Sequence, residues 1–219
     1  MSEDDSLHIA LLGDSTLDNA AYTAGGPSVT DYLCRFLPGE SQATLLAVDG
    51  ALARDVEHQL PKVPGDVTHA VCSVGGNDAM MQISVLERRV EDVSAALTEL
   101  SDVVEEFEEA YRACLKRLLR LDLPVTVCTI YNGDFDRASG RQQVISAALS
   151  MWNDAILQAA LDYNLPVVDL RRVCSDPEEY TRRIEPNEQG GRKIAEALYR
   201  AHEEPKSFSA RIGPTGTEV

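Results

Sequence analysis

Five short apolar runs, each separated from the next by a stretch with helical spacing, constrain this 219-residue chain more than any other feature. The runs are His8–Leu12, Thr44–Val48, Ala70–Val74, Val125–Ile130 and Pro166–Leu170, all rich in Val, Ile and Leu. Strands that are apolar on both sides need cover on both faces, which a parallel sheet between two helical layers supplies. Helical periodicity falls over Ser28–Phe36, Leu52–Leu60, Val85–Leu121 (with a break expected near Leu100–Asp102), Arg141–Tyr163 and Glu188–His202. The alternation predicts an α/β fold with a parallel sheet, and such sheets open their ligand cleft at the carboxyl ends of the strands.

Polar residues collect at those ends. The first run stops at Gly13 and is followed by Asp14 and Ser15, the later ones by Asp49-Gly50, Gly75-Gly76-Asn77-Asp78 and Tyr131-Asn132-Gly133-Asp134. Any one such turn is explained by the needs of a strand-to-helix loop, where glycine and a capping Asn or Asp are common. Several together, with a serine at the first, point to chemistry. Serine becomes a nucleophile only when its proton is removed and when fixed donors meet the charge that develops on the attacked oxygen. The backbone N–H groups of Ser15 and Gly50 and the Asn77 amide are candidate donors.

Composition narrows the function classes. A formal net charge of −16 repels nucleic acid phosphates and anionic membranes. The five cysteines, Cys34, Cys72, Cys114, Cys128 and Cys174, never fall as a Cys-x-x-Cys pair and read as reduced structural residues. There is no metal-ligand spacing and no phosphate-binding glycine loop, so no cofactor or metal is expected. The acidic amino terminus has no apolar core like that of a signal peptide, and no stretch is expected to reach membrane-spanning length. A soluble, cytoplasmic protein acting on a small molecule is expected, with residues 1–202 as one domain and 203–219 as a mobile tail.

Gly13-Asp14-Ser15-Thr16-Leu17, Gly50, Gly75-Gly76-Asn77-Asp78 and the segment Ile184–Ala197 before the last helix occur in the order of the four blocks of the SGNH, or GDSL-type, hydrolases, which the chain resembles. The resemblance implies a three-layer, flavodoxin-like α/β/α sandwich on a five-stranded sheet, and hydrolysis of esters or acyl groups. It makes Ser15 the nucleophile, with Ser15 N–H, Gly50 N–H and Asn77 as oxyanion donors. The last block departs from the family pattern Asp-x-x-His-Pro: Arg182 stands at the aspartate position and Glu185 at the histidine position. None of His8, His58, His69 or His202 falls there.

Glu185 therefore leaves two readings. In one it is the base, or orients a water, for a working esterase. In the other the protein binds an acyl or carbohydrate-like ligand without efficient turnover. Burial would raise the Glu185 pKa and a neighbouring arginine would lower it. Asp14, Tyr22 and Asp78 are the candidate substrate-side residues; Asp14 also reads as a turn-fixing group, Asp78 as a helix cap and Tyr22 as a wall of the cleft. Asn187 reads as a cap for the final helix.

Overall fold

The computed structural model describes residues 6–203. The strands β1 (His8–Gly13), β2 (Gln42–Leu45), β3 (His69–Ser73), β4 (Val125–Cys128) and β5 (Val167–Val168) form one parallel sheet in the order β2-β1-β3-β4-β5. The helices are α1 (Val29–Phe36), α2 (Gly76–Met81), α3 (Val93–Leu118), α4 (Arg141–Asp162), α5 (Leu170–Val173) and α6 (Glu188–Glu203). A short antiparallel pair, β6 (Tyr180–Thr181) and β7 (Glu185–Pro186), precedes α6.

Side-chain alternation along β1 feeds both layers. Ile9 and Leu11 pack with α1 and α6 through Leu33, Ile194 and Leu198, while Ala10 and Leu12 pack with α3 and α4 through Leu115, Trp152 and Ile156. All six residues of β1 are buried, as a central strand covered on both faces requires. The strand order reverses direction at β1, so the crevice lies between the ends of β1 and β3. Their register pairs Gly13 with Ser73 and brings the two strand ends level.

Several element limits differ from the sequence expectation, each for a local reason. The ladder of β2 ends at Leu45 because the N–H groups of Leu46 and Ala47 both donate to the Leu11 carbonyl, at 2.8 Å each. β4 stops at Cys128 because Ile130 turns to the Asn153 side chain, which takes its N–H at 2.7 Å and its carbonyl at 2.9 Å. β5 stops at Val168, where Asp169 caps α5. The expected helix over Leu52–Leu60 is two 3-10 turns, Ala53–His58 and Leu60–Lys62, the second starting beside Pro61. The expected break at Leu100–Asp102 lies instead at residues 88–92. Asp92 caps α3 by accepting the Ala95 N–H at 2.8 Å, and the helix then runs unbroken to Leu118.

α4 corrects another expectation. Its 22 residues are long and apolar enough to cross a membrane by composition, yet its Leu149–Ile156 stripe packs in the core against α3. Glu203, placed in the tail, ends α6; the rest of that segment and residues 1–5 lie outside the described residues.

Candidate active site

The end of β1 is held from two sides before the chain reaches Ser15. Gly13 has φ +131°, and a Cβ there would stand 1.8 Å from the Ser73 carbonyl oxygen, so only glycine lets β1 turn this close to β3. Buried Gln59 clamps the same residue, accepting the Gly13 N–H and donating to the Gly13 carbonyl, both at 2.8 Å. Asp14 then donates its N–H to the Ser73 carbonyl at 3.1 Å and accepts the Thr16 N–H at 3.0 Å, which fixes the turn. Ser15 is 7% exposed and lines an open cleft together with Asp14, Asn77, Ile130 and Trp152.

The turn after β2 is tied to the same region. Asp49 donates its N–H to Asp18 Oδ2 at 3.1 Å, and Asn77 Nδ2 donates to the Ala51 carbonyl at 3.1 Å. The Asn77 amide keeps a second N–H to offer. Gly50, between those anchors, has φ +81° and open space where a side chain would be. Among the described residues, the backbone N–H groups of Ser15 and Gly50 donate to no protein acceptor.

Glu185 approaches Ser15 from the other side, on β7. The hairpin that carries it is clamped by three long-range bonds: Tyr131 hydroxyl to the Ile184 carbonyl at 2.5 Å, Asn19 Nδ2 to the Pro186 carbonyl at 3.1 Å, and Asp134 N–H to the Arg183 carbonyl at 2.7 Å. The hairpin turn holds Arg182 and Arg183 at φ 49° and 74°, a left-handed conformation that non-glycine residues seldom adopt. Burial raises the Glu185 pKa above its usual 4.5; the neighbouring Ser15 hydroxyl opposes this, Asp49 adds to it and Arg182 opposes it. Glu185 Oε2 is inaccessible and has no hydrogen-bond partner, while the Ser15 hydroxyl stands close enough to the carboxylate to lower its pKa.

The four histidines stand elsewhere. His8 meets Asp66 at 3.0 Å and Thr44 at 2.7 Å, and His69 stacks edge-on with His202 at 4.4 Å, all at the opposite end of the strands. His58 is exposed beside Glu57. Among the described residues no group of His, Cys, Asp or Glu could hold a metal.

Of the substrate-side candidates, only Asp14 lines the cleft. Tyr22 lies on the polar side, donating its hydroxyl to Asp49 Oδ2 at 2.6 Å with the Arg182 guanidinium 5.5 Å over its ring. Asp78 does not cap its own helix; it accepts the Ala53 N–H at 3.1 Å and ties α2 to the neighbouring 3-10 turn. Asn187 accepts the N–H groups of Gln189 at 2.9 Å and Gly190 at 3.2 Å, opening α6. Gln59, Tyr131 and Asn19 position the site across 46, 53 and 167 residues of sequence separation; Tyr131 opens one of the turns marked in the sequence, and no local pattern marks Gln59 or Asn19.

Burial pushes the Asp14 carboxyl up to about 7, against the lowering effect of its bonds to Thr16; Asp78 and Glu185 add repulsion. Between its ordinary 3.8 and about 7 the unfolded chain has released this proton while the folded chain holds it, so stability falls as pH rises through that window. The displacement is worth about 4 kcal/mol at most. Asp14→Asn, which keeps an acceptor for Thr16, is expected to flatten this fall in urea denaturation compared at pH 5 and pH 8. An unchanged profile would contradict the assignment.

A family model of GDSL-like lipase/acylhydrolases matches residues 11–193. No curated protein matches the sequence. Among solved structures, an extracellular lipase from Streptomyces rimosus is 17% identical, with TM-score 0.65 over 90% of this chain and 100% of that one. A lipase/acylhydrolase from Enterococcus faecalis is 20% identical, with TM-score 0.65 over 91% and 96% of the two chains. The acetyl xylan esterase AlAXEase is 18% identical, with TM-score 0.65 over 89% and 99%. At such identities the structures establish a shared fold, and the family model, which spans β1 to α6, establishes kinship: the chain belongs to the GDSL-like lipase/acylhydrolase family.

Proposed function

We propose that the protein is a serine hydrolase that cleaves carboxylic esters or O-acyl groups through Ser15. The observation that carries the reading is that Ser15 and Asn77, from two strand ends, line one cleft while Glu185, on a hairpin far away in sequence, stands beside Ser15. Ser15 Oγ attacks the ester carbonyl carbon as its proton passes to the Glu185 carboxylate. The oxyanion is met by the N–H groups of Ser15 and Gly50 and by Asn77. The tetrahedral intermediate collapses, the alcohol leaves with the proton from Glu185, and an acyl-serine remains. Water, deprotonated by Glu185, repeats the attack and releases the acid and free Ser15.

A carboxylate is a weak base at its ordinary pKa, and efficiency is greatest when the base titrates near the working pH. Burial of Glu185 moves it in that direction. With its pKa pushed up to about 7, Asp14 is about half protonated at neutral pH, which weakens the fixed negative charge near the oxyanion.

The unpartnered Glu185 Oε2 favours the second reading, ligand binding without efficient turnover. Catalytic bonds are often long before substrate arrives, so the spacing alone does not decide between them. Steady-state hydrolysis of para-nitrophenyl acetate by wild type and Ser15→Ala does. Turnover by the wild type far above that of Ser15→Ala supports the hydrolase; equal rates contradict it.

A further inference from the structure

We infer that the cleft beside Ser15 binds a medium-length, unbranched acyl chain, seated along the face of α4 that carries Ile145, Ala148, Leu149 and Trp152. The inference rests on the hydrolase reading for its chemistry and goes beyond it in naming the acyl group. These four residues follow the i, i+3, i+4, i+7 spacing that puts side chains on one helix face, and all four line the cleft. Seven residues at 1.5 Å rise give a stripe about 10 Å long, far longer than an acetyl group.

The opposite wall is equally apolar. Leu86 from the 3-10 turn before α3 and Leu100 from α3 face the same space. Leu100 is continued on its own helix face by Leu97 and Val93, which are 54% and 75% exposed. Charge is confined to one end. Asp14 is the only Asp, Glu, Lys or Arg in the lining, and it adjoins Ser15. A ligand matching this gradient carries its polar, reacting carbonyl at Ser15 and a plain hydrocarbon chain away from it. A sugar acetate, with its hydroxyl groups, would find no partners along the stripe.

Each methylene buried on such a wall raises kcat/KM by about fourfold. The test compares para-nitrophenyl acetate with para-nitrophenyl octanoate for wild type and Ala148→Trp, whose indole fills the middle of the stripe, with thermal melting to verify that the variant is folded. The expected result is at least a 100-fold preference for octanoate in the wild type, falling at least tenfold in a folded Ala148→Trp. Equal rates or a preference for acetate, or an undiminished octanoate preference in the folded variant, would overturn the inference while leaving the hydrolase reading intact.

Calorimetric titration of the wild type with octanoic and acetic acids separates the two ideas and needs no variant. If neither ester is turned over, the hydrolase reading fails by itself. Saturable octanoic acid binding with much weaker acetic acid binding then still supports the acyl pocket, and no octanoic acid binding overturns it.

Discussion

Ser15→Ala is expected to lower kcat/KM for para-nitrophenyl acetate by at least about 10³-fold, with no change in the melting temperature beyond a degree or two. The size follows from what the substitution leaves behind. Without Oγ no acyl-enzyme can form, and the remaining route is direct attack by water on an ester held by the Ser15 and Gly50 N–H groups and Asn77. Oxyanion donors and binding retain about 10³–10⁴-fold catalysis over water when a triad member is lost, so the variant keeps a measurable residue above buffer. The fold is unaffected because the turn is fixed by Gly13, Gln59 and the Asp14 backbone, none of which uses the serine hydroxyl. A variant as active as the wild type removes Ser15 from the mechanism.

Glu185→Gln carries the second large effect and tests the departure from the family pattern. A base works in its ionised form, so the wild-type rate should rise with pH through the Glu185 pKa and level off above it. Burial, the dominant influence, holds that pKa above 4.5, and the rising limb lies correspondingly above pH 4.5. Glutamine keeps the size and polarity of the side chain but cannot take the proton. The loss expected for a general base is about 10²–10⁴-fold, with disappearance of the rising limb. Retention of the limb at full rate in Glu185→Gln would assign the proton transfer to another group.

What the amino-acid order made legible was whatever local physics decides. The uninterrupted apolar run ending at Gly13 marked the central strand, and the glycine-bearing turns marked the cleft edge, because turn chemistry is written in adjacent residues. The 3-10 turns at Ala53–His58 and Leu60–Lys62 were read as one helix because their apolar spacing is helical. Their true form depends on Pro61 and on Asp78 taking the Ala53 N–H from 25 residues away. The capping aspartate of α3 was visible in sequence, since Asp92 precedes a long run of helix formers, yet the polar stretch near Ser101 drew the expected break there instead. Of the groups that hold the site, Gln59 on Gly13 and Asn19 on Pro186 left no trace in local pattern, and Tyr131 was legible only as the start of a turn, not as the donor to the Ile184 carbonyl. Each satisfies a backbone group brought near only by folding, and any of several polar residues would look equally plausible on sequence.

The same distinction separates the two sides of the cleft. The polar residues at Ser15 and Asn77 follow strands and were found by position. The α4 stripe was read only as part of a helical span, because an apolar helix face looks the same whether it meets another helix or lines a cleft. Tyr22 was placed as a wall on proximity in sequence to Ser15, whereas its hydroxyl is drawn to Asp49 and its ring to Arg182.

The most direct test of the central claim, that a serine activated by a half-buried glutamate does the chemistry, is covalent labelling with an organophosphonate ester followed by mass mapping. Attack by Oγ forms a P–O bond to serine and expels the phosphonate's leaving group, so one adduct is predicted on the peptide containing Ser15. It should form faster as pH rises in the wild type and show no such rise in Glu185→Gln. No adduct, an adduct on another residue, or a labelling rate indifferent to Glu185 would contradict the account.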